Sequence, residues 1–219
     1  MESGLSSIVT HNDFDGVASA AICSWAFDIE SVRFAGPMTI TNAEIPITAE
    51  DIVCDLPYPL ECGMWFDHHL GNLEEVKLRG IDPATIPGKF ALEPSCARVV
   101  FDYFSQEETL PEDYARLAGE ADEIDSFAYK DIEDWRRESP AKRIDWAIKA
   151  RVTTPQEQRA FLRDLVFFLR DLSLEEVADQ PEVIARANRY RTEEADMLEK
   201  IQKYARFLDQ DTTRQLVII

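Results

Sequence analysis

Histidine is scarce in this chain of 219 residues: only His11, His68 and His69 are present. Cysteine is scarce too, with four residues and no Cys-x-x-Cys pair, so a structural zinc site is not indicated. Cys23, Cys54 and Cys96 sit among apolar or small residues and read as reduced packing residues. No apolar run approaches the ~18 residues of a membrane helix. The start, Met1-Glu2-Ser3-Gly4, lacks the basic and apolar stretches of a secretory signal, which makes the cytoplasm the expected compartment. Basic residues are also few: 23 Lys and Arg face 42 Asp and Glu, a net charge of −19. With no basic stripe interleaved with aromatics, a surface track for long nucleic acid is not expected. A small phosphate-bearing ligand stays open, because bound cations reverse the local potential of an acidic site.

What is present divides by periodicity. An apolar fraction of 45% is enough for a packed core. Up to about residue 105, short apolar runs alternate with helical or loop segments. Strands are expected at Leu5 to Thr10, Ser31 to Ala35, Asp51 to Asp55, Met64 to Phe66 and Lys89 to Leu92. A buried helix is expected from Gly16 to Phe27, and another beginning near Ser95. Such alternation indicates an α/β fold with a parallel sheet and helices on both faces.

From Leu110 the pattern is helical: Pro111 to Ile124, Ala141 to Val152, Pro155 to Leu172 and Pro181 to Leu208. The expected division is therefore residues 1–130 as a catalytic domain and 131–219 as an all-helical connector. Gln215 to Ile219 reads as a strand that stops at the chain end; it pairs elsewhere, or the natural protein continues.

The three histidines all lie beside aspartates at the ends of apolar runs. In His11-Asn12-Asp13-Phe14-Asp15-Gly16, His11, Asp13 and Asp15 alternate, so an extended segment would put them on one side. Gly16 permits a tight turn into the next helix. A plainer reading makes Asp13 or Asp15 a helix cap. Asp55 ends the run Ile52-Val53-Cys54, where open parallel sheets bind ligands, although Asp55-Leu56-Pro57 could also start a turn. Asp67-His68-His69 follows Trp65-Phe66 in the same strand-end position. One of these histidines can take a metal while the other faces a substrate, and Asp67 can orient a ring nitrogen. Histidine with carboxylate is the usual ligand set for a hydrolytic divalent metal.

Taken together, His-Asn-Asp-Phe-Asp-Gly, the strand-end Asp55 and Asp67-His68-His69 resemble the first three motifs of the DHH phosphoesterase superfamily. That family includes RecJ-type nucleases, family II inorganic pyrophosphatases, exopolyphosphatases, nanoRNases and cyclic dinucleotide phosphodiesterases. The resemblance covers about residues 5–130. It implies two divalent ions, usually Mn2+, with Mg2+ or Co2+ as alternates. It assigns Asp13, Asp55 and His11 to one ion, and Asp15, Asp55 and His68 to the other, with Asp55 bridging. A fourth-motif aspartate should complete the second set; Asp122 is the better match and Asp125 its rival. His69 would contact a phosphate oxygen, with Asp55 and Asp67 as its partners in catalysis. Ser95 and Arg98 resemble the family's phosphate-proximal helix start, against plainer roles as an N-cap and an ion-pair partner. Many members carry a C-terminal substrate domain with a Gly-Gly-Gly-His motif; here only Gly119 follows Gly88, so a shortened member is expected.

The function expected from these features is hydrolysis of a small or terminal phosphate by a metal-activated water, on a phosphoester or phosphoanhydride. The alternatives are a RecJ-like single-strand exonuclease and a non-catalytic interaction module that keeps the fold. Neither a membrane partner nor long nucleic acid is expected, and a homo-oligomer is compatible with the sequence.

Overall fold

A computed structural model of the chain describes residues 4–106, 109–207 and 216–218. Met1 to Ser3, Leu208, Gln215 and Ile219, which figured in the expectations above, lie outside the described residues. The chain begins β1 (Ser7–Thr10), α1 (Phe14–Phe27), β2 (Val32–Phe34), α2 (Pro37–Thr41), β3 (Asp51–Cys54) and β4 (Met64–Asp67). It continues α3 (Leu70–Leu78), a 3-10 turn at Pro83–Thr85, β5 (Gly88–Phe90), α4 (Cys96–Phe104) and α5 (Glu112–Asp125). Then follow α6 (Ile132–Arg136), α7 (Pro140–Lys149), α8 (Pro155–Asp171), α9 (Leu174–Ala178) and α10 (Pro181–Tyr204).

The first five strands form one sheet in the order β2-β1-β3-β4-β5, and every pairing is parallel. This is the expected α/β architecture. The central strands β1, β3 and β4 are buried on both faces because they send apolar residues toward two helical layers, while the edge strands β2 and β5 are only partly covered. Ile8, Ile52, Cys54, Met64 and Phe66 face α1, α4, α5, α7 and α8 in the larger core. Val9, Val53 and Trp65 face Ile40 of α2, Val76 of α3 and Ile86 in a smaller one. From β1 the chain crosses to β2 on one side and later to β3 on the other. The switch point therefore lies between the carboxyl ends of β1 and β3, where such sheets leave a crevice.

α1 is buried from Phe14 through Ser24, as its small, apolar sequence requires. Gly16 is obligatory by contact: a Cβ there would lie 2.4 Å from the His11 carbonyl oxygen. The fifth strand is displaced to Gly88–Phe90 from the expected Lys89 to Leu92. Gly88 opens it with φ 104 against the Trp65 backbone, an approach only glycine tolerates.

Four short helices were not expected from periodicity. α2, α6 and α9 have five residues each, and α3 buries only Val76, so none carries an apolar stripe long enough to read. The connector departs from all-helical in one place. Where the last helix was expected to run to Leu208, the chain turns at Ala205–Phe207 into β6, which pairs antiparallel with β7 (Leu216–Ile218). The strand read at the end of the sequence therefore has a local partner. No helix among the described residues is long and apolar enough to cross a membrane.

The larger core runs without interruption from the sheet through α8 to Val183 and Ala187 of α10. In α8, Phe161, Leu162, Leu165, Val166 and Leu169 are buried, while Phe168 on the other face is exposed. Leu165→Ala should cost about 2–5 kcal/mol, since the cavity opens in the middle of the helical layer. Urea denaturation measures it. A loss below about 1 kcal/mol would show that α8 is not part of the cooperative core.

Candidate metal centre

Three strand ends and one helix end build the site. β1 stops at Thr10, and His11 to Asp13 lead into α1. Asp13 is the N-cap, with Oδ1 accepting from the Gly16 N–H at 2.9 Å. The capping alternative for Asp13 is thus realised, yet it uses one oxygen. The other, Oδ2, lies 2.6 Å from His11 Nδ1. Asp55 follows β3 with φ 57, a left-handed backbone uncommon for a residue other than glycine. Its amide donates to the Phe66 carbonyl, which locks that turn onto β4 and leaves the carboxylate in the crevice. Strain of this kind, at a buried acid, is the sort that function maintains.

Asp15 sits in the first turn of α1 and is 2% exposed. Its two oxygens accept from the Cys96 and Ala97 N–H groups, both at 2.7 Å, at the start of α4. Free N–H groups at a helix start suit an anion, so Asp15 joins α1 to α4 while presenting its outer edge to the site.

At the end of β4, His68 and His69 diverge. His68 Nδ1 lies 3.0 Å from the Glu93 carbonyl, which makes Nδ1 the donor and leaves Nε2 as a lone-pair acceptor. Nε2 points at Asp15 Oδ2 and Asp55 Oδ1, each at 3.7 Å, and at Asp125 Oδ2 at 3.5 Å. His69 turns outward and is half-exposed, with Nδ1 2.9 Å from Asp67 Oδ1. Asp67 is fully buried, and its other oxygen accepts from Asn72 Nδ2 at 2.7 Å. Asp67 therefore orients a ring. Asn72, on the first turn of α3, holds Asp67 and was missed by the sequence analysis; its spacing of five residues from Asp67 matched no motif.

Of the two candidates for the fourth motif, Asp125 lies beside His68 and Asp122 does not join the cluster. The two differ by three residues on α5, and only the helix end reaches His68. Asp122 instead binds Arg98: Oδ2 accepts from Nε at 2.9 Å and Nη2 at 2.8 Å. Its Oδ1 accepts from Ser95 Oγ at 2.7 Å, while Ser95 Oγ accepts from the Arg98 N–H. Ser95 and Arg98 thus take the plainer roles of N-cap and ion-pair partner. As placed, they tie α4 to α5 through Asp122.

Three overlapping donor groups result: His11, Asp13 and Asp55; Asp15, His68 and Asp125; and Asp55, His68 and His69. Within each, the donor atoms lie within 4.8 Å of one another. Asp55 belongs to two groups. The donors are carboxylate and imidazole with no thiolate, which suits Mn, Mg, Co or Zn over copper(I) or iron–sulfur chemistry.

Charge is unbalanced here. Burial, then repulsion from Asp13, pushes the Asp55 carboxyl up to about 7, against the pull of His11. Burial and Asp55 hold Asp15 well above the carboxylate range. Burial raises Asp125 as well. Asp13 goes the other way: burial would raise it, but the His11 bond outweighs that and lowers it. Burial alone would lower His11; Asp13 and Asp55 together take it up to about 10. Two atoms stand out for a cation. Asp55 Oδ1 and His68 Nε2 are both buried and have no hydrogen-bond partner. Buried acceptors left unpaired are costly and call for an ion or a proton.

A parallel α/β fold with a carboxylate–histidine cluster at its switch point is the class that fold and site define. No family model and no curated protein matches the sequence. Among solved structures, the pGpG-specific phosphodiesterase PggH from Vibrio cholerae superposes with a TM-score of 0.76 at 23% identity. The match covers 93% of this chain and 65% of that one, so the chain spans about two thirds of the neighbour's length. An uncharacterized protein from Helicobacter pylori G27 reaches a TM-score of 0.45 at 12% identity, over 94% of this chain and 73% of its own.

The His69–Asp67 pair carries a pH signature. The hydrogen bond to Asp67 lifts the ring to about 8, against burial. A raised histidine stabilises the fold fully below its unfolded value near 6.5, and that stability fades as pH rises through about 8. In metal-free protein, NMR titration should give a His69 midpoint near 8, and Asp67→Asn should bring it down toward 6.5. An unchanged midpoint in the variant would place the source of the shift elsewhere.

Proposed function

We propose that the chain is a divalent-metal-dependent phosphoesterase of the DHH type, acting on a short substrate such as a di- or oligonucleotide with a terminal phosphate. The observation that carries this is the buried, unpartnered pair Asp55 Oδ1 and His68 Nε2 inside a ring of carboxylates. A divalent ion satisfies both atoms at once, and the surrounding carboxylates favour it. The donor chemistry fits the group. Asp13, His11 and Asp55 would hold one ion; Asp15, His68, Asp125 and Asp55 would hold the other. Bound there, the pair would lower the pKa of a coordinated water and polarise a phosphoryl oxygen. The fold shared with a pGpG phosphodiesterase supports a two-nucleotide scale for the substrate.

The protein's own groups would do the rest. Asp55, with its carboxylate aimed by a left-handed turn, sits between the two donor groups. His69, pinned at Nδ1 by Asp67, has Nε2 free to donate to a phosphate oxygen as negative charge grows. The Asp67 carboxylate at Nδ1 favours the doubly protonated ring that this donation needs. The net charge of −19 repels a long polyanion, so a compact phosphate whose charge is met by the ions fits better than a tracked strand.

Purified protein with Mn2+ should hydrolyse a 5′-phosphorylated dinucleotide. Asp55→Asn should lower kcat/KM by more than about 100-fold, beyond the cost of losing a residue that only orients a ligand. Mn2+ should raise the melting temperature of the wild type and not of the variant, because binding to the folded state alone stabilises it. No turnover across dinucleotide, polyphosphate and pyrophosphate, despite bound metal, would sink the proposal. Full activity in the variant would sink the site assignment.

A further inference from the structure

The carboxyl end of α5 carries a feature that the donor cluster does not use. After Asp125 and the C-cap Ser126, Phe127 adopts φ 54 and closes the helix, with the Ala128 N–H donating to the Glu123 carbonyl at 3.1 Å. Glycine is usual at this left-handed position because it has no Cβ. Phenylalanine is doubly disfavoured, since it also leaves 65% of its surface in water. Its ring is held by others: edge-on to Tyr129 at 5.1 Å, and tilted against Trp135 at 6.2 Å. Behind them, Lys142 Nζ lies 4.6 Å from the Tyr129 ring centroid and donates to the Asp134 carbonyl. The group is thus a supported aromatic surface with one ring left open.

Its position matters as much as its shape. Asp125 Oδ2 is 3.5 Å from His68 Nε2, and Phe127 is only two residues on, a backbone span of at most about 7 Å. The chain also lacks a basic track, so affinity for a nucleotide must come from contacts other than phosphate neutralisation by Lys and Arg.

We infer that Phe127, backed by Tyr129 and Trp135, is a stacking platform for a nucleobase adjoining the phosphate that the donor cluster engages. Stacking of this kind tolerates any base, because each has a π face. The inference rests on the phosphoesterase reading and sharpens it: the ligand carries a base, which favours a short oligonucleotide over polyphosphate or pyrophosphate.

The test uses Phe127→Gly, since glycine suits the left-handed backbone and removes the ring without disturbing the helix end. Two readouts separate the inference from the reading beneath it. In the first, guanosine, which has no phosphate, is titrated into metal-free full-length protein while tryptophan emission is followed. It should quench the wild type and lose its effect in Phe127→Gly and in Trp135→Phe. In the second, KM for a 5′-phosphorylated dinucleotide with Mn2+ should rise roughly 5- to 150-fold in Phe127→Gly, with kcat within about two-fold and Phe127→Trp restoring it. Guanosine quenching that depends on Phe127, without any phosphoester turnover, would support the platform and overturn the enzymatic reading. Turnover with KM and quenching both unchanged in Phe127→Gly would overturn the platform and leave that reading intact. A change in oligomeric state of Phe127→Gly, with no change in quenching, would also overturn it and make the patch a protein contact.

Discussion

Burying two carboxylates, Asp15 and Asp55, at the switch point of a parallel sheet is the constraint on which the rest of the structure turns. Both are almost fully out of water, and burial is the largest influence on each. An isolated buried carboxylate is costly enough that a protein normally neutralises it or supplies a partner. The partners available here are unequal. Asp15 receives two backbone N–H groups from the start of α4; Asp55 receives none at Oδ1. The fold has thus fixed one carboxylate by hydrogen bonds and left its neighbour to be satisfied by something that arrives later.

That asymmetry explains several features that look unrelated. α4 must begin where Asp15 can reach it, so Ser95 caps it and the Arg98–Asp122 pair clamps it to α5. The clamp also fixes α5 beside α4, and the last residue of α5, Asp125, lies beside His68. Asp122 is spent on the scaffold so that Asp125 can be spent on the site. The same logic holds on the other side of the crevice. Asn72 fixes Asp67, Asp67 fixes His69, and only the outer nitrogen of that ring is left for a ligand.

Much of this was legible from residues alone. The parallel sheet could be read because its strands are short apolar runs with polar ends. That Asp13, Asp15, Asp55 and His68 come together could be read because strand ends leave little freedom for the side chain that follows. The choice between Asp122 and Asp125 was not legible, and the reason is geometric. In Ala121-Asp122-Glu123-Ile124-Asp125 the helical pattern makes both aspartates plausible, and the choice depends on which one meets Arg98 across a helix pair, a long-range fact. The contacts of Ser95 and Arg98 were hidden for the same cause, since both bind that carboxylate. The short helices α2, α6 and α9 are held by tertiary packing and carry almost no periodic signal of their own.

The acidic surface and the acidic site pull in opposite directions for a phosphate ligand. A net charge of −19 slows and weakens the approach of any anion, most of all a long one. Cations held at Asp13, Asp15, Asp55 and Asp125 would reverse the sign only within the crevice, because screening in salt confines such a field to about 8–10 Å. A phosphate deep in the crevice then gains what a second or third phosphate outside it would lose. The electrostatics therefore select for length before any side chain reads the ligand. Discrimination among short ligands would then fall to uncharged surface beside the donor cluster, and the exposed ring of Phe127, two residues beyond Asp125, is one such surface.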